Sequence, residues 1–127
     1  MWRIEYEPHE HRLDIFLREQ VFGRDMRELA RAHARALEAT GRTPFRVLVD
    51  LRGLHPLDSE SARVFADMKR VAASLPHYRG RAVIVDSPTV AMQQRNLTME
   101  DGGDERELIT RDARDAEEFL TRLAGQL

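Results

Sequence analysis

Residues 45–76, FRVLVDLRGLHPLDSESARVFADMKRVAASLP, constrain the fold more than any other part of the chain. Phe45, Val47 and Val49 alternate with Arg46, Leu48 and Asp50, and the branched residues among them favour a strand. Asp50 closes that strand, and Arg52-Gly53 is a sensible exit from a buried sheet because Gly53 tolerates positive φ. Asp58 or Ser59 then caps a helix. Its apolar positions, Val64, Phe65, Met68, Val71, Ala72 and Leu75, recur at the spacing of one buried face, and Pro76 stops it.

The same grammar repeats downstream. A loop at His77-Tyr78-Arg79-Gly80 leads into Ala82-Val83-Ile84-Val85, a continuous apolar run of the kind found in the middle of a parallel sheet, and Asp86 ends it. Ser87 caps the next helix and Pro88 opens it, at a position where a missing N–H costs nothing. Val90, Ala91, Gln94 and Leu97 mark its inner face. A turn over 101–104 precedes a short last strand at 107–110. Asp112 then caps a final helix with Ala116, Phe119, Leu120 and Leu123 inward.

Upstream, Trp2, Ile4 and Tyr6 alternate with charged residues, as do Leu13, Ile15 and Leu17, and the polar Pro8-His9-Glu10-His11 between them argues an antiparallel hairpin. Asp25 reads as the N-cap of a helix, with Glu28 completing a capping box. Met26, Leu29, Ala30, His33 and Leu37 form the inner face of that helix, His33 as a core or boundary residue with one hydrogen bond, and Thr40-Gly41 ends it. The order is ββαβαβαβα. It specifies an α/β fold with a mixed sheet, an N-terminal antiparallel hairpin with the remaining strands parallel, packed with about four helices. At 127 residues the chain suits a single domain, 1–127, with no linker or repeat.

Composition removes several classes of function. A formal charge of −2 gives no general attraction to nucleic acid or anionic membrane, so Arg27, Arg31 and Arg35 read as a solvated helix face. The absence of cysteine excludes disulfides, thiolate metal sites and Cys nucleophiles, and suits a cytoplasmic setting. No apolar run approaches the roughly 20 residues of a membrane span, and MWRIEYEPHE has no apolar core of a signal peptide. Lys69 is the only lysine, which reads as base composition rather than chemistry.

Few constellations suggest catalysis. Asp50 and Asp86 both end predicted strands and so share the carboxyl edge, where open α/β sheets bind ligands. They can be read as a cation or acid/base pair, or as strand-closing residues that accept backbone donors. His9 and His11 lack a third ligand. Leu57-Asp58-Ser59-Glu60-Ser61 lacks both glycines of a nucleophile elbow, and Gly102-Gly103 precedes a strand rather than a helix. No cofactor, metal site or enzymatic activity is expected.

DLRGLHPLDSESARVF after an apolar strand resembles the STAS domain, the fold of anti-sigma factor antagonists and of the cytoplasmic tail of sulfate transporters. In that family a strand ends in Asp, a short loop follows, and an Asp-Ser-Ser/Thr-Gly run opens the next helix. Asp50 matches the first element and Asp58-Ser59 the start of the second. Glu60 stands where the family carries its phosphorylated hydroxyl, and Ser61 where it carries Gly. The resemblance is therefore to STAS-like proteins without the phosphorylation switch. It implies a bacterial signalling module that recognises an anti-sigma or histidine-kinase-like partner through Asp50, Arg52, Asp58, Ser59, Glu60 and Ser61. The alternative it implies is a carrier of a small apolar molecule or lipid, held in a cleft between helices and sheet.

Overall fold

The computed structural model describes residues 1–100 and 102–125. Its elements follow the expected order: β1 (Trp2–Glu7), β2 (Arg12–Leu17), α1 (Gly23–Thr40), β3 (Phe45–Asp50), α2 (Ser59–Ala73), β4 (Tyr78–Ile84), α3 (Pro88–Glu100), β5 (Glu107–Thr110) and α4 (Ala113–Ala124). They build one five-stranded sheet in the order β1-β2-β3-β4-β5. β1 pairs antiparallel with β2, and every later pairing is parallel.

Strand alternation divides the interior in two. Phe45, Val47, Val49, Val83 and Val85 face the side covered by α1, α2 and α3, where Met26, Leu29, Phe65, Met68, Ala72, Val90 and Leu97 pack on them. Leu48, Ala82 and Ile84 face the other side, under Ala116, Leu120 and Leu123 of α4. All six residues of β3 are therefore buried, Arg46 included. Its guanidinium spends two donors on backbone carbonyls, Leu120 O at 2.9 Å and Glu10 O at 2.6 Å. β1, by contrast, only half-buries alternate positions and exposes the rest, as an edge strand should.

Four local expectations are corrected. α1 begins at Gly23, and Asp25 lies inside its first turn, reaching back to accept the Phe22 N–H at 3.0 Å. A carboxylate at that third position satisfies an orphan donor as well as a cap would. β4 begins at Tyr78, inside the stretch that reads as loop, and it ends before Asp86. Gly80 is what hides this: a Cβ there would lie 2.7 Å from Arg106 O, so the glycine marks a close strand approach rather than a turn. Val71 is 46% exposed, so the inner face of α2 is narrower than its apolar positions suggest. His33 is buried, but its ring makes no hydrogen bond among the described residues. In the turn expected over 101–104, Asp101 lies outside the described residues; Gly102 and Gly103 close the turn on α3, donating to Met99 O and Thr98 O.

Candidate functional site

The loop after β3 is organised by neutralised charge. Asp50 accepts the Arg52 N–H at 3.1 Å and two guanidinium donors of Arg52 at 3.0 and 2.7 Å. Arg18, just after β2, reaches the same carboxylate at 3.0 Å and the Asp50 carbonyl at 2.8 Å. Burial on its own would raise the Asp50 carboxyl, but the hydrogen bonds from Arg52 and Arg18 outweigh it and hold the group below the usual carboxylate range. Asp86 lies at the same edge, where its two oxygens accept the Gly53 N–H at 3.1 and 3.0 Å. Gly53 has φ +78, as a turn made at that point requires. The two aspartates thus close loops through backbone donors. Among the described residues, no group of three His, Asp or Glu side chains is placed to hold a metal ion.

The start of α2 follows the sequence reading closely. Asp58 is the N-cap and accepts the Ser61 N–H at 2.7 Å, a backbone bond that keeps its carboxyl below the usual range. Ser59 and Glu60 are exposed, whereas Ser61 is fully buried and its hydroxyl has no hydrogen-bond partner among the described residues. Ser61 lies four residues before Phe65 and so shares its inward face. Glu60 pairs with Arg27 of α1 and sits over Gly23, where a Cβ would come within 2.8 Å of its carboxyl group. The structure therefore brings Asp50 together with Arg52, and Asp58 together with Ser61. Glu60 is tied to α1 instead.

Next to this helix start, α2 and α3 frame an open groove of about 640 Å³. Ala62, Arg63 and Ala66 form one wall, and Met92, Gln93 and Asn96 the other. Gln93 clips the loop before α2 to α3: its Oε1 accepts the Leu57 N–H at 3.0 Å and its Nε2 donates to Leu57 O at 2.8 Å. Beneath α2, against the sheet, the packing leaves a void of only about 10 Å³.

A second cluster was not anticipated. Lys69, Arg81, Asp104 and Glu107 meet under the last turn of α2, nearly sealed from solvent. Burial and the neighbouring Arg81 charge pull the Lys69 ammonium down to about 8, against the opposing pull of Glu107. Arg81 and Lys69 hold the Glu107 carboxyl below its usual range in spite of its burial. The sequence signal was present: a lone lysine beside Met68 on an inner helix face, and an arginine immediately before an apolar strand run.

This sheet, with an antiparallel hairpin at one edge, three helices on one face and a fourth on the other, is a SpoIIAA-like, or STAS-like, α/β fold. A crystal structure of an uncharacterized DUF3478-family protein with a SpoIIAA-like fold, from Shewanella loihica PV-4, superposes with a TM-score of 0.62. The match covers 94% of this chain and 92% of that one at 18% identity, a likeness of fold alone. No protein-family model and no curated protein matches the sequence. No helix among the described residues is long and apolar enough to cross a membrane.

Proposed function

We propose that the chain is a non-enzymatic recognition module that binds a protein partner along the α2–α3 groove and the loop leading into α2. The observation that carries this reading is the groove itself, an open channel of about 640 Å³ adjoining the Asp58 cap. Its α2 wall, Ser59 to Asp67, extends about 12 Å at 1.5 Å per residue, long enough for several residues of a bound segment. Met92, 61% exposed, gives one wall an adaptable apolar contact. Arg63, Asp67 and Asn96 supply polar ones. The carboxylates at the sheet edge are already satisfied within the fold, which supports a recognition role over a catalytic one. The filled space beneath α2 favours a protein partner over a lipid, whose tail needs a cavity of several hundred Å³ between helices and sheet. An anti-sigma or histidine-kinase-like protein is the first partner to try, because the STAS resemblance implies it.

A photo-crosslinking amino acid placed at Arg63 or Met92, in cells of the source organism, tests the reading. One discrete protein adduct, lost when Ala66→Arg fills the groove and reproduced with the purified partner, is the expected result. A stoichiometric lipid in solvent extracts of the native protein, with no adduct, would replace the reading with the carrier.

A further inference from the structure

Beside the last turn of α2, on the far side of that helix from its N-cap, a pocket of about 280 Å³ opens onto the buried charge cluster. Its walls include Lys69, Arg81, Asp104 and Arg106, with Ser74 and Gly103 at the rim. Counting donors shows which of these groups are satisfied. Lys69 Nζ has three partners, Thr98 Oγ1 at 2.7 Å, Glu107 Oε2 at 3.0 Å and Gln94 Oε1 at 3.1 Å, and so is saturated. Arg81 is not. Its Nε donates to Glu107 at 2.7 Å, but Nη1 has only Lys69 O at 3.5 Å. Its Nη2 stands 3.6 Å from Asp104 Oδ2, beyond hydrogen-bond distance, and has no other acceptor among the described residues. This is a side chain only 3% exposed, lining a cavity with part of its donor fork unmatched.

Arg106 lies over the Tyr78 ring, 4.5 Å from its centroid, and its hydrogen bonds are weak. Its guanidinium reaches Asp104 at 3.4 Å, Tyr78 O at 3.3 Å and Ala73 O at 3.3 Å, all long for charge-assisted bonds. Asp104 is meanwhile engaged at shorter range by the Tyr78 hydroxyl at 2.9 Å and the Arg106 N–H at 2.9 Å. Three cations, Lys69, Arg81 and Arg106, face two carboxylates, Asp104 and Glu107. Arg70, also on the wall, pairs with Asp67. Tyr78 adds no negative charge, since burial pushes its hydroxyl above the usual phenol range. The N–H groups that Arg81 turns to the pocket have no protein acceptor among the described residues, and a planar or tetrahedral oxyanion matches their fork.

We propose that this pocket binds a small anionic ligand, one whose phosphate or carboxylate group is held by Arg81 and Arg106. The volume exceeds that of the anion alone and lies near the lower end of small-molecule sites, leaving room for a compact organic body. The site shares only Leu97 with the walls of the α2–α3 groove, and the Arg70–Asp67 pair lies between the two, so the proposal does not rest on the partner proposed above.

The test is an NMR titration of the ¹⁵N-labelled chain with inorganic phosphate and, separately, with acetate, sodium chloride being the ionic-strength control. Saturable shifts at the Ser74, Gly103 and Arg106 amides are expected with at least one of the two, and the one that saturates assigns the anionic group. Arg106 is half exposed, so Arg106→Gln should keep a native spectrum while weakening binding about tenfold or more, the scale of one charge-assisted hydrogen bond. Shifts that only track chloride, saturable shifts confined to other parts of the chain, or undiminished binding by Arg106→Gln would each overturn the proposal.

Discussion

Lys69 Nζ on α2 and Glu107 Oε2 on β5 stand 3.0 Å apart, with both side chains almost completely buried. The pair joins a helix to an edge strand that lies two strands away from β3, and Arg81 of β4 shares the same carboxylate at 2.7 Å. Glu107 is thus the nearest counter-charge for two buried cations, Asp104 standing farther off at 3.6 Å from Arg81. Glu107→Ala should cost about 3–5 kcal/mol, the range for breaking a buried pair by removing one partner. Lys69→Met should cost less, because Arg81 still neutralises Glu107 and the methionine fills the path of the lysine stem. Urea unfolding at neutral pH gives both values, and the opposite ranking would show that Glu107 is not the hub.

Phe65 is 1% exposed and packs between α2 and the sheet, while Val71, six residues on, is 46% exposed. Phe65→Ala should therefore cost about 3–5 kcal/mol. Val71→Ala should change stability by no more than about 0.5 kcal/mol. Equal losses in denaturant melts would mean that α2 is rotated from the phase described.

What the sequence disclosed about the fold came from periodicity, which is local. The 45–76 pattern placed β3, the Asp58 cap and the inner face of α2, and Asp50 and Asp86 placed one sheet edge, although β4 stops at Ile84. The start of β4 escaped because Tyr78-Arg79-Gly80-Arg81 has the composition of a loop, and the reason for Gly80 lies in the backbone of Arg106, which approaches it from the lead-in to β5. The charge cluster escaped for the same kind of reason. Its members come from α2, β4, the turn before β5 and the start of β5, and only strand pairing brings Arg81 opposite Glu107. Ser61 was legible in principle: its spacing to Phe65, Met68 and Ala72 already put it on the inner face of α2.

His33 offers a clean pH test. Burial, then the charge of Arg81, lowers its imidazole to about 4. In the unfolded chain its value is about 6.5, so between those limits the unfolded state binds the proton more readily. The neutral ring's contribution is complete above the unfolded value and is lost as pH falls toward the folded one. Stability should drop by about 1 kcal/mol between about pH 7 and pH 5.5. The lowered carboxyls of Asp50, Asp104 and Glu107 lose their contribution only in more acid solution. His33→Leu should flatten the slope in this window, and urea melts retaining the full slope in that variant would assign it elsewhere.

Glu60 is the residue that the STAS resemblance aligns with a phosphorylated hydroxyl. Its carboxylate belongs to the first turn of α2 and pairs with Arg27 on α1, so a permanent negative charge links the two helices. Both side chains are more than half exposed, which limits the pair to well under about 1 kcal/mol, with a similar increment from the helix dipole. Glu60→Ala should therefore leave stability within about 1 kcal/mol of the native chain, and added salt should shrink the difference. The neighbouring hydroxyls differ in access. Ser61 is fully buried, with its N–H held by Asp58, so a kinase reaches its oxygen only if α2 opens; Ser59 is exposed. A phosphate adds about −1.5 to −2 charge, and at Ser59 it would stand beside Asp58 and Glu60, where like charges oppose it. The segment should consequently carry no regulatory phosphate. Mass spectrometry of the protein from its own cells checks this, and stoichiometric phosphate on Ser59 or Ser61 that weakens partner binding would restore a switch to the module.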